Sequence, residues 1–204
     1  MRALLAGLAL AFAASAPLPA TAADAAASAV AMPAHDPAKM AVVAQILDNL
    51  QTMKVSISAG QKSLLADPTV AKLAPADQTL LVNLFADEMM KRHDEMMNGL
   101  AADNSDRFTL EQLNDILTYS RIGYVQNLCL DAAGLAPSTP DPSTMTAQEA
   151  KDFATIGNAS YTNDFLDNFN FTSESAVVSE AVATSIQRFV ALRGHGDDAA
   201  QFPS

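Results

Sequence analysis

The residues best suited to chemistry lie in one run, Met89-Met90-Lys91-Arg92-His93-Asp94-Glu95-Met96-Met97, which holds four of the nine methionines of this 204-residue chain. On a helix, Met89, His93 and Met96 or Met97 are spaced to share one face. Thioethers with an imidazole form a soft donor set that suits copper(I). The commoner use of such a stripe is structural: methionine fills irregular helix–helix contacts, and the histidine sits at the core boundary. A partly exposed Met-rich face would also suit a protein partner.

Other chemistries have little support. A carboxylate di-metal bundle needs Glu three residues before His on two helices. Here Met90 precedes His93, Met32 precedes His35 and Leu192 precedes His195 at that spacing. No Gly-x-Ser-x-Gly elbow, phosphate-binding loop or dinucleotide fingerprint is present. No catalytic residue and no resident cofactor are therefore assigned, and an enzyme is not expected. The single cysteine, Cys129, lies between Leu128 and Leu130 in a helical pattern, where a buried, inert thiol is expected.

The elements that would position the Met/His run are helical. Residues 1–22 have the pattern of a cleaved signal peptide, with Arg2, an apolar stretch from Leu4 to Ala14 and the small-residue site Ala20-Thr21-Ala22. A periplasmic or secreted protein is expected, with no transmembrane segment in the mature chain. The net charge is −11, from 12 basic and 23 acidic residues, which disfavours nucleic acid and anionic membranes as partners.

After a flexible lead-in over 23–35, Asp36-Pro37 opens a helix whose stripe runs Met40, Val43, Ile46/Leu47, Leu50, Met53 and Ile57. Asp67-Pro68 opens a short helix through about Leu73. The spacing predicts a helix from about Ala76 to Leu100 carrying the Met/His run, then a polar connection over Ala101–Arg107. Thr109 and Gln112 form a capping box, with Phe108 and Leu113 as its hydrophobic staple. That helix is predicted to continue through Leu128 to a left-handed stop at Gly134.

Residues 135–145 read as a linker because Pro137, Pro140 and Pro142 cannot continue a helix. A second capping box, Thr146 and Glu149, opens a helical hairpin over 146–194, and 195–204 form a tail. The fold class is all-α, an antiparallel bundle of about five to six helices, with 36–134 as the bundle and the hairpin packed on it.

The run Phe108-Thr109-Leu110-Glu111-Gln112-Leu113, followed by Tyr119-Ser120-Arg121-Ile122-Gly123, resembles exported bacterial helical proteins of domain-of-unknown-function family 2059. Their hallmark is F-T-x-E-E-L, an aromatic pair, then S-P-x-G. Phe108, Thr109, Glu111, Leu113 and Tyr119 match in place. Ser120 replaces the second aromatic, and the Ser-x-x-Gly element comes early and lacks its proline. The resemblance covers Asp36 to Leu130 at most. It implies export and a helical fold, and no activity, ligand or catalytic residue.

The function expected from these features is that of an exported, non-enzymatic helical protein that binds a cell-envelope protein through an apolar helix face. The alternative is a copper(I)-binding protein using Met89, His93, Met96 and Met97.

Overall fold

The computed structural model describes residues 35–168 and 172–193. The expected signal peptide and lead-in, up to residue 34, and the expected tail with His195 lie outside the described residues. Among the described residues every regular element is helical, so the fold is all-α. The helices are α1 (Pro37–Asn49), α2 (Thr52–Ala66), α3 (Pro75–Lys91), α4 (His93–Arg107), α5 (Leu110–Ser120), α6 (Gly123–Ala132), α7 (Ala147–Ile156), α8 (Ser160–Asp167) and α9 (Thr172–Arg193). Short 3-10 turns cover Val70–Lys72 and Pro142–Thr144.

The starts and stops follow local chemistry. Asp36 accepts from the amides of Ala38 and Lys39, and Pro37 is the first helical residue of α1. Both capping boxes are formed: the Gln112 amide donates to Thr109 Oγ1 at 3.2 Å and the Thr109 amide to Gln112 Oε1 at 2.9 Å, with the same exchange between Thr146 and Glu149. Gly134 takes φ +70°, the Leu135 amide donates to Leu130 O and the Gly134 amide to Asp131 O. That pair of bonds is the Schellman ending, and only glycine adopts its backbone without strain.

There are more helices than expected because four long helices are each broken in two. The first breaks at Gln51, which adopts a left-handed φ of 51°, while the Thr52 hydroxyl donates to Leu47 O across the corner. The second breaks at Arg92, the third at Arg121–Ile122 and the fourth at Gly157–Ala159. The Asp67-Pro68 signal opens only a 3-10 turn. The expected polar connection over Ala101–Arg107 is instead the last part of α4. Leu100, Ala101, Asn104 and Ser105 are buried on one side of it, and the Asn104 amide donates back to Leu100 O. Small polar side chains that bond back to the helix backbone, as Asn104 Nδ2 and Ser105 Oγ do, can line a helix–helix contact, so polarity there does not mark a loop.

Helix α1 lies against α4 and α5, α2 against α3, and α9 along α3 and α4. Helices α7 and α8 rest on α5, so the region expected to be one hairpin divides its main contacts between different helices. The main core joins Val43, Ile46 and Leu47 of α1 to Phe85, Met89, Met96, Leu113 and Phe165. A smaller cluster, Val70, Leu81, Leu84, Phe189 and Val190, closes the far end of the α3–α9 contact.

Gly60, inside α2, lies directly against the fully buried Phe85 ring, and a Cβ at this position would overlap it. Gly99 in α4 has nothing within 4 Å of its Cβ position. Alanine recovers roughly 0.5–1 kcal/mol of helix propensity at either site, but overpacking a fixed ring costs about 1–3 kcal/mol. Gly60→Ala is expected to destabilise the protein and Gly99→Ala to stabilise it, as read by urea unfolding of each variant. Equal signs would show that Phe85 is free to move.

Candidate functional site

The Met/His run does not form one straight helix. α3 ends at Lys91, Arg92 takes φ −99° and ψ 13°, and α4 begins at His93. Met89 and Met96 are fully buried in the core and Met97 lies at its edge. His93 keeps 40 % of its side chain exposed, and its Nδ1 lies 2.9 Å from Asp94 Oδ1. Of the four candidates, His93 and Met97 therefore face a common space, while Met89 and Met96 are directed into the packing.

That space is a groove of about 430 Å3 between the α1–α2 corner and the α3–α4 junction. Its apolar wall includes Leu47, Met53, Ile57, Met97 and Leu135, and Met90 stands on its edge at 55 % exposure. Asp48, Gln51, Lys54 and Gln61 supply polar groups. The volume falls in the range of small-molecule and side-chain pockets. Met90 and Met53 were missed as candidates. Met90 carried a readable signal, because Met90, His93 and Met97 stand at i, i+3 and i+7, one helical face. Met53 is brought in from α2 by the corner at Gln51, which has no local sequence mark.

Behind the groove wall lies a charged cluster with no counterpart in the sequence reading. Glu88, whose side chain is 4 % exposed, accepts from Lys91 Nζ at 2.6 Å, Arg92 Nη1 at 2.8 Å and Arg188 Nη1 at 2.6 Å. Arg92 also meets Glu180 at 3.3 Å and Thr184 Oγ1 at 3.4 Å. The sequence signal was the spacing of Glu88 to Lys91 and Arg92, a standard helix ion pair, which says nothing of burial. The Lys91 hydrogen bond, with those of Arg92 and Arg188, lowers the Glu88 carboxyl from 4.5 to about 2 against the opposing effect of burial.

Other shifted groups lie elsewhere. Burial raises the Cys129 thiol to about 11, so it stays protonated and unreactive near neutrality. Burial raises Tyr119 to about 12, and burial together with the 2.8 Å bond to Asp115 raises Tyr161 to about 12. Surface His35 meets Asp106 at 3.0 Å. Among the described residues no three His, Cys, Asp or Glu side chains are grouped to hold a metal ion, and no helix is long and apolar enough to cross a membrane. No family model, no curated protein and no solved structure matches this chain.

The folded-state carboxyl of Glu88 titrates below its unfolded value, so its stabilising contribution is complete above about pH 4.5 and is lost as pH falls toward 2. Glu88→Gln is expected to cost roughly 1–3 kcal/mol near neutrality, as when a charge-assisted hydrogen-bond partner is removed. The difference between wild type and variant should shrink when urea unfolding is repeated at successively lower pH. A difference independent of pH would mean that the carboxylate charge contributes nothing.

Proposed function

We propose that this is an exported, non-enzymatic binding protein that acts in the periplasm or outside the cell through the α2/α3–α4 groove. Its partner there is an envelope protein that inserts an apolar segment. The observation carrying this reading is Met90. Among the described residues most large apolar side chains are buried or half-buried, yet this one stands open at the edge of an apolar groove. The other exposed large apolar side chains among the described residues, Leu65, Leu110 and Leu192, do not line the groove. Isolated exposed residues of this kind are ordinary on a protein surface.

The groove has the anatomy of a contact site, an apolar floor with polar residues around it. A non-enzymatic role is supported by where the perturbed groups lie. Glu88, Cys129 and the two tyrosines are engaged in packing or ion pairs, and none lines the groove. Export rests on the signal-peptide pattern of residues 1–22 and on the partial resemblance at Phe108–Gly123 to family 2059, which implies a helical fold and no activity.

The test is site-specific photocrosslinking in intact envelopes. A benzophenone amino acid at Met90 is expected to give a discrete protein adduct that is lost when Ile57→Glu places a charge in the groove. The same probe at exposed Gln148 on α7 should not give that adduct. No adduct at residue 90, or the same adduct from both positions, would count against the groove as the binding surface.

A further inference from the structure

We infer that Met53, Met90, His93 and Met97 form a site for one soft monovalent metal ion, with copper(I) as the biological ligand class. All four residues line the same groove, which brings three methionines and one histidine around one space. They come from three helices. Met90 lies in the last turn of α3, His93 and Met97 are one turn apart on α4, and Met53 stands on α2 across from them. This is a different set from the straight-helix quartet, because the break at Arg92 turns Met89 and Met96 into the core and leaves Met90 outside.

The donor chemistry selects the ion. Thioether sulfur prefers soft d10 ions, whereas magnesium and calcium need several oxygens and structural zinc favours thiolates and multiple imidazoles. Asp48 is the sole carboxylate in the groove lining, and Lys54 in the same lining offsets its charge. His93 is already oriented for the task. Its Nδ1 lies 2.9 Å from Asp94 Oδ1, and in the tautomer that donates Nδ1–H to this carboxylate Nε2 is the ligand atom. The junction between Met90 and His93 is held from behind, since the Arg92 guanidinium is fixed on Glu88, Glu180 and Thr184. A site whose backbone is fixed by contacts behind it loses little entropy on binding.

This inference uses the groove of the binding reading but a different occupant, so its failure would leave the crosslinking result intact, and the reverse. The test labels the methionine methyl groups with 13C and titrates the protein with silver(I), a redox-inert stand-in for copper(I). One equivalent is expected to shift the Met53, Met90 and Met97 methyl signals and the His93 Nε2 signal while leaving Met89 and Met96 in place. Anaerobic competition for copper(I) against a chromogenic chelator should show binding in wild type and none in Met90→Leu/His93→Asn. Met90 is exposed and Leu conserves its volume, so the circular dichroism of that variant should match wild type. Asp94→Asn should weaken binding by roughly tenfold through loss of the His93 orientation. The proposal is overturned by no competition with the chelator, by shifts at Met89 or Met96, or by a double variant that binds like wild type.

Discussion

A carboxylate nearly removed from water stays charged only where cations surround it, and Glu88 has three. Desolvating such an ion costs several kcal/mol, which Coulomb attraction offsets only with good geometry. The net gain is limited here, because Lys91 and Arg188 remain partly in water and screened. The importance of the cluster is positional. Lys91 ends α3, Arg92 is the junction to α4, and Arg188 belongs to α9. One carboxylate thus ties the last turn of α3 and the junction residue to α9. The Leu81/Leu84–Phe189/Val190 contact and the Arg193–Asp77 pair complete the same α3–α9 contact toward its other end.

The break at Arg92 decides what the Met/His run can do. In an unbroken helix Met89 and His93, four residues apart, would lie on one face and be buried or exposed together. With the chain redirected between them, Met89 joins Phe85 and Leu113 in the core, while His93 opens onto the groove. Arg92 is no helix breaker by type. Its side chain is held by Glu88 at 2.8 Å and by Glu180 and Thr184, the latter two from α9, roughly ninety residues further along the chain.

That distance explains what could be read in advance. The Asp36 cap, the Thr109–Gln112 and Thr146–Glu149 boxes and the Gly134 stop are each complete within a few residues, so pattern reading recovers them. The four breaks are not all of this kind. Gln51 turns left-handed beside a Thr52–Leu47 bond, and Ser120, next to the third break, receives Asn49 Nδ2 from α1. The Asn49–Ser120 bond is tertiary, the Thr52–Leu47 bond is local but carries no sequence pattern of its own, and neither Gln51 nor Arg92 belongs to a residue type that announces a corner. The site was legible to the same degree. His93 and Met97 share α4 and follow from spacing, whereas Met53 enters only through the Gln51 corner, and Glu88 looks like any surface helix pair until α9 covers it.

The groove is better understood as a held shape than as a packing defect. Methionine is flexible enough to fill a neighbouring gap, and an unfilled apolar wall forfeits dispersion contacts. A groove flanked by Met53, Met90 and Met97 would therefore be expected to close if its walls could move. They are anchored away from the groove instead. α2 is seated on Phe85 through Gly60, where there is no side chain to let the helices shift apart or slide. Ser58 and Lys62 of α2 both donate to Ala133 O at the end of α6, which brings Leu135 to the groove edge. The opposite wall is fixed through Arg92. With all three walls tied from behind, moving the walls together would require breaking the Ser58 and Lys62 bonds to Ala133 O or the Gly60–Phe85 contact.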